Sequence, residues 1–414
     1  MFLLKKVLHL ILVISLLTTT VSADVTFSEK AVEVLGVATE YYSSDLFREP
    51  TDFAATVPMK SIPEIKAKSY ILMEKSSGEV ICENNPDEKL SPASITKIMT
   101  LLLVVEAIDS GKISLSDVVS TSEHAASMGG SQIWLEVGEE MTVDELLKAT
   151  AVASANDASV ALAEFVAGSE EAFVAQMNKH AKTLGMKNTV FKNACGLDEE
   201  GHYSSARDVA IMSKELLKHD TIKKYTNIWQ DSLRGGKTEL VNTNKLVRFY
   251  QGTTGLKTGT TDKAGFCLAA SAVRDGMELI SVVMGAENSN DRFNSAKNLL
   301  NFGFANYTIF TPTVDTSKIT TIPVVKGEQN QVEIESEPVK EVLIKKGAEK
   351  GITSEITLQP EIEAPVTENF EVGKVVIKSG DKTIGEYKIF TINSIERISW
   401  PFSFKKIVNL LFSL

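Results

Sequence analysis

The sequence predicts an α+β fold: an antiparallel sheet flanked by helices with a helical subdomain, followed by a small all-β domain and a C-terminal amphipathic helix. Three observations predict it. A strand–turn–strand signal around Ser76-Ser77-Gly78 and three strand-like runs after Gly255 bracket a long stretch whose apolar residues recur three to four apart. Beyond residue 311 that spacing gives way to short β-rich runs. The last residues, 396–414, return to helical spacing, with apolar and basic faces.

The elements follow in order. Lys5 and Lys6 precede an apolar run from Val7 to Leu17, and Val21-Ser22-Ala23 offers small residues for cleavage. This is the pattern of a secretory signal peptide over residues 1–23, too short for a span of about 20 apolar residues. Its removal takes away two lysines and no acid, so the net charge moves from -11 to -13. Residues 24–66 form a weakly patterned lead-in, with a helix expected over Glu29–Tyr42 and prolines at 50, 58 and 63; no role can be read from it. Tyr70–Glu74 and Val80–Cys82 read as a hairpin, and Pro92 opens an apolar helix that should stop at Gly111. Helices are expected over Val143–Val152, Ala158–Val166, Glu171–Leu184 and Ala206–Leu217. Strands are expected over Leu256–Thr260, Gly265–Val273 and Met277–Gly285, the last two joined by Asp275-Gly276, before a closing helix Arg292–Phe304. Residues 67–310 thus form one domain and 311–395 an all-β second one, with Ser379-Gly380-Asp381 turning between its last two strands. In the tail, Phe404, Ile407, Val408, Leu411 and Leu414 share a face opposite Lys405, Lys406 and Asn409, which suits a helix lying in a membrane surface.

Composition narrows the function. With 414 residues, 43% hydrophobic and 23% charged, the chain has material for two domains and a substantial core. A net charge of -11 and a pI near 5.2 exclude nucleic acid as a natural partner. Three cysteines make no disulfide framework; Cys82 and Cys267 are expected to be buried in strands and Cys195 to lie in a loop. Five scattered histidines carry no metal-ligand spacing, so no metal is expected.

The chemistry concentrates in three separated signals: Ser94-Ile95-Thr96-Lys97, Ser154-Ala155-Asn156 and Lys257-Thr258-Gly259. Ser94 and Lys97, three apart on a helix, share a face. A serine needs a base, and a lysine serves only when desolvation or a nearby positive charge keeps it neutral; Lys257 is expected to supply that charge. The start of a helix also offers backbone N–H groups to a developing oxyanion. Ser154 suits a proton relay, and Asn156 suits holding both a lysine and the substrate backbone. Lys257 and Thr258 suit a substrate carboxylate, Gly259 the close approach of a ligand backbone, and the Thr260 N–H an oxyanion. Gly236-Lys237-Thr238 ends like a phosphate-binding loop, but Asp231 stands where that loop needs glycine and no strand clearly precedes it, so it reads as a turn.

In this order, the stretches 91–97, 154–158 and 255–261 with Ala264-Gly265, together with Ser204-Ser205-Ala206-Arg207-Asp208 and Asp291-Arg292-Phe293, resemble the low-molecular-mass penicillin-binding proteins, specifically the D-alanyl-D-alanine carboxypeptidases. The resemblance covers roughly residues 67–310. It implies a β-lactamase/transpeptidase-like fold, a β-rich second domain and an amphipathic helix on the outer face of the cytoplasmic membrane. It also implies removal of the terminal D-alanine from peptidoglycan stem pentapeptides through an acyl-enzyme on Ser94, acylation of that serine by β-lactams, no cofactor, and a role for Arg292 in holding the substrate carboxylate. A DD-endopeptidase shares the site. A β-lactamase of class A would need a dedicated deacylating glutamate in an E-x-x-L-N stretch, which Glu239-Leu240-Val241-Asn242 fails to match. A catalytically silent wall-binding protein is opposed by the intact set of side chains.

Overall fold

The structure is a computed structural model that describes residues 61–412. The expected signal peptide, the helix over 29–42 and most of the lead-in lie outside the described residues.

β1 (Ser69–Glu74) and β2 (Val80–Asn84) form the expected hairpin. The helix after Pro92 begins as a 3-10 turn, Ala93–Thr96, and continues as α1 (Lys97–Asp109). Ile98, Met99, Leu101, Leu102, Val104 and Val105 are all buried, so α1 is apolar on every side and serves as the axis of the helical subdomain. Two hairpins there were not legible in the helical spacing: β3 (Val118–Ser120) with β4 (Glu140–Thr142), and β5 (Gln230–Leu233) with β6 (Thr238–Val241). Strands of three or four residues are too short to set up a readable alternation. Gly236-Lys237-Thr238 does fall at the turn of the second hairpin, although a strand, β5, precedes it after all.

The helices stand close to their expected places, and their caps explain the boundaries. Thr142 and Glu145 make a capping box at the head of α2 (Val143–Lys148). α3 (Asn156–Ala167) ends on Gly168 at φ 89°. Ser169 caps α4 (Glu170–Thr183), Ser205 caps α5 (Ala206–Leu216), and Asn288 caps α6 (Ser289–Asn306). Between α4 and α6 the chain lays down β7 (Thr253–Thr261), β8 (Gly265–Arg274) and β9 (Met277–Ala286). Asp275 and Gly276, at φ 47° and 79°, close the β8–β9 hairpin in the left-handed geometry such a tight turn requires.

The main sheet is antiparallel in the order β2-β1-β9-β8-β7. Its alternating side chains feed two cores. Ile71, Ala269, Ile280 and Val282 pack towards α1 and the helical subdomain, whereas Leu72, Leu268, Leu279 and Val283 pack with Leu299, Leu300 and Phe304 of α6. The sheet is thus a middle layer between helices, as the order of elements predicts. Cys267 is buried as expected, but Cys82 on the edge strand β2 is only half-buried.

β10 (Tyr307–Phe310) leads into the second β-rich region. There β11 (Thr321–Val325), β12 (Gln331–Ser336), β13 (Val342–Lys345), β14 (Ile352–Leu358), β15 (Ile362–Glu363), β16 (Glu371–Ser379) and β17 (Lys382–Thr391) follow one another. Six of these form one sheet, β14-β16-β17-β12-β11-β15, around its own apolar core. β13 departs from the expected grouping: it pairs antiparallel with β10 and so ties this region back to the end of α6. The chain closes with α7 (Trp400–Phe412). No described helix is long and apolar enough to cross a membrane.

Candidate active site

The 3-10 turn, the α2–α3 junction, β7 and a loop after residue 193 converge on Ser94. Ser94 itself is half-buried and therefore reachable, while Lys97 one turn on is fully buried. The Lys97 Nζ lies 3.0 Å from Ser94 Oγ, 2.5 Å from Asn156 Oδ1 and 2.7 Å from the Cys195 carbonyl oxygen. The orientation of the Asn156 amide is fixed by its Nδ2, which donates to the Gly129 carbonyl at 2.6 Å. Two of the three partners of Lys97 can therefore only accept. A neutral amine has two N–H bonds and one lone pair, so the lone pair is left facing Ser94 Oγ, ready to take its proton.

Burial lowers the Lys97 pKa to about 8, against weaker opposing influences from Cys195 and Asp157. Loss of hydration is the first cause at Lys97, and the repulsion between the two lysines is felt at Lys257, whose pKa is pushed well below its usual value by burial, Lys97 and Arg292. Among the described residues neither lysine has a carboxylate partner within ion-pair distance, and Lys257 Nζ donates only to the Thr258 carbonyl, at 3.1 Å. Arg292, 7% exposed, is similarly without an ion pair among the described residues, and burial lowers its pKa to about 10. Its Nη1 donates to Thr260 Oγ1 at 3.0 Å, and its guanidinium lies 4.6 Å from the Phe293 ring centre. Lys257 and Arg292, two buried basic groups with no carboxylate partner among the described residues, make a well for an anion beside the serine in an otherwise acidic protein.

Two backbone features brace the nucleophile turn. Ala93 holds φ 48° and Ser154 holds φ 62°, left-handed values that cost non-glycine residues on the order of 1–3 kcal/mol each. Ser154 emerges from a π-helical turn, Ala149–Ala153, just before α3 begins. It is 3% exposed, and no described residue engages its hydroxyl. Gly196, at φ 88°, sits where a Cβ would run into the Ala93 carbonyl. Gly259 does the same from the other side: a Cβ there would lie 2.8 Å from the Pro92 carbonyl oxygen and 3.1 Å from the Ile95 nitrogen. Gly259 lets β7 lie against the serine turn, which brings the Thr260 backbone beside Ser94.

Of the expected residues, Ser94, Lys97 and Asn156 form one hydrogen-bonded cluster, and Thr260 and Arg292 form another. Thr258 Oγ1 donates to Thr243 Oγ1 at 2.7 Å, so its hydroxyl is held from the loop after β6 rather than by the cluster. Arg207 pairs with Glu83 and Asp87, and Asp208 accepts from Thr189, so that segment supports the site without joining it. The sequence reading missed the Gly129 and Cys195 carbonyls, because any residue type carries one. It also missed His202, which is 4% exposed and lies 2.9 Å from Thr96 Oγ1 inside the serine–lysine turn. Only Gly196 left a trace, as a glycine in the short loop Asn193-Ala194-Cys195-Gly196.

Comparison with known proteins gives the context. The profile of a family described as D-alanyl-D-alanine carboxypeptidase matches residues 55–288, and that of the penicillin-binding protein 5 C-terminal domain matches 307–397. The D-alanyl-D-alanine carboxypeptidase DacF of Bacillus subtilis is 50% identical over 326 residues, which is 78% of this chain and 84% of that protein. The crystal structure of penicillin-binding protein 5 from Haemophilus influenzae superposes with a TM-score of 0.75 at 33% identity, covering 82% of this chain and all, 100%, of the other. Penicillin-binding protein D2 from Listeria monocytogenes, solved in an ampicillin-bound form, matches 58% of this chain and 100% of its own, with a TM-score of 0.54 at 31% identity.

Proposed function

The chain belongs to the D-alanyl-D-alanine carboxypeptidase family, and from that premise we propose that Ser94 is the nucleophile with which it removes the terminal D-alanine from peptidoglycan stem pentapeptides. The observation that carries this reading is the lone pair of Lys97 aimed at Ser94 Oγ, beside two buried basic groups, Lys257 and Arg292, that lack a carboxylate partner among the described residues. The free carboxylate of the terminal D-alanine enters that well, where Lys257, Arg292 and, once its hydroxyl turns from Thr243, Thr258 hold it. A bound carboxylate keeps the proton on Lys257, and the resulting positive charge favours neutral Lys97. Lys97 then takes the proton of Ser94 as Oγ attacks the carbonyl of the penultimate D-alanine. The N–H groups of Ser94 and Thr260 bind the oxyanion. Ser154, whose hydroxyl is otherwise uncommitted, passes the proton to the leaving amine, and D-alanine departs. Water enters, Lys97 takes its proton, and attack on the ester frees Ser94. β-Lactams acylate the same serine by the same first step.

The test is incubation with a soluble pentapeptide ending in D-Ala-D-Ala. One free D-alanine per peptide is the expected product. Cleavage confined to cross-linked peptides would move the assignment to an endopeptidase.

The division into residues 67–310, 311–395 and 396–414 belongs to the same proposal, with export of the chain and the last segment as its membrane contact. In α7, Trp400, Phe404 and Ile407 are 77%, 54% and 59% exposed, with the first two rings stacked, and Lys405 and Lys406 are exposed as well. A helix of this kind buries its apolar face among lipid headgroups and sets its lysines against anionic ones. The protein should co-sediment with anionic vesicles, and a Phe404→Glu, Ile407→Glu double variant should remain in the supernatant. Equal sedimentation of the two would remove the membrane role of α7.

A further inference from the structure

Trp134 is 74% exposed, the highest value among the large apolar residues of the helical subdomain, and it holds φ 53°. Neither property is expected of a tryptophan, which usually buries its ring and avoids left-handed backbone. The loop around it is not loose. The N–H groups of Ile133 and Leu135 both donate to Asp157 Oδ2, each at 3.1 Å. Arg234 Nη1 donates to the Ile133 carbonyl at 2.9 Å and its Nη2 to the Trp134 carbonyl at 3.4 Å, while Glu139 accepts from the Arg234 Nε at 2.7 Å. Ile133 and Leu135 are buried on either side. The indole is thus pushed out of the surface by a backbone that is clamped from both directions.

The clamp belongs to the site. Asp157 directly follows Asn156, whose N–H donates to the Ser131 carbonyl at 2.7 Å and whose Nδ2 donates to Gly129. Three residues of chain, at most about 10 Å, separate Ser131 from Trp134. The aromatic face therefore stands at the rim of the cleft, on the loop that Asn156 anchors. Its surroundings select the partner. Glu136 and Glu140 are exposed nearby, which disfavours an acidic peptide or an anionic lipid, while Ser131 and the half-buried Gln132 offer neutral hydrogen-bonding groups. A flat apolar ring with neutral polar neighbours and acidic flanks suits an uncharged sugar, whose ring carbons can lie on the indole.

We propose that Trp134 is a docking platform for the glycan strand of the polymeric substrate, seating a sugar ring while the attached stem peptide enters the cleft. The proposal rests on the carboxypeptidase reading above. Trp134 acts outside the reacting centre, so its effect should appear with polymer and not with short peptide. The experiment compares kcat/KM on pentapeptide-rich polymeric peptidoglycan with kcat/KM on a soluble tripeptide ending in D-Ala-D-Ala. In W134G the polymer-to-peptide ratio should fall about tenfold, the scale of losing one well-placed aromatic anchor. W134F should stay within about threefold of the wild type, since it keeps an aromatic face. Glycine is at ease at φ 53°, so W134G should melt at or above the wild-type temperature, which separates a lost contact from a lost fold. Stem-free glycan oligomers should also alter the indole fluorescence of the wild type and leave that of W134F unchanged. An unchanged ratio in W134G, or no difference between wild type and W134F with glycan, would overturn the platform alone. Wild-type protein that releases no D-alanine from either substrate would instead overturn the reading beneath it.

Discussion

Ser94→Ala should abolish covalent labelling by penicillin and reduce D-alanine release at least about a thousandfold, because a triad-type site loses most of its rate when the nucleophile goes. Stability should barely move. The Ser94 hydroxyl is half-buried and Lys97 has two further partners, so removing the oxygen leaves the Asn156 and Cys195 contacts in place. A change within about 0.5 kcal/mol is expected for such a substitution. Labelled penicillin followed on a denaturing gel reads the first effect and a thermal melt reads the second. A variant that labels as fast as the wild type would show that another residue is acylated.

The second large effect is on pH. The proposed base, Lys97, serves only when neutral, and burial lowers its pKa to about 8. Below that value the neutral fraction falls tenfold per unit, so the second-order rate of acylation by penicillin should rise about a hundredfold between pH 6 and pH 8 to 9 and then level off. The sign follows from burial: desolvation disfavours the ammonium, so raising the pH populates the reactive form earlier than for an exposed lysine. His202 is lowered to about 4 and is neutral throughout, and Cys267 is raised to about 11 and stays protonated. Lys97→Met should remove the ascending limb and cost about 10²–10⁴-fold in acylation, the usual worth of a general base. A wild-type profile flat from pH 6 to pH 9 would take the role of base away from Lys97.

The fold was legible where periodicity runs long. The hairpin β1–β2, the three strands β7, β8 and β9, and the helices α1, α3, α4 and α5 all repeat their pattern over enough residues to declare their period, and Asp275-Gly276 declares its turn. The short pairs β3–β4 and β5–β6 were silent because three or four residues cannot alternate convincingly. The placement of β13 was silent for a different reason. Its composition says strand, but nothing in Val342–Lys345 says that its neighbour is β10 rather than another strand of the second sheet.

For the site the boundary falls between side-chain identity and what surrounds the side chain. The sequence by itself determined the chemical groups: a serine and a lysine one helical turn apart, the S-x-N and K-T-G partners, and an arginine downstream. That much follows from local spacing, which a helix or strand converts directly into a shared face. Only the tertiary structure decided that Lys97 meets two pure acceptors and so points its lone pair at Ser94, and that desolvation is the first cause lowering its pKa. It also decided that Gly259 and Gly196 serve the packing of the serine turn. The reason is physical: protonation, lone-pair direction and close approach depend on backbone carbonyls and on excluded water, and both are supplied by segments about 60 to 165 residues away, from Asn156 to Gly259, which no local pattern can register.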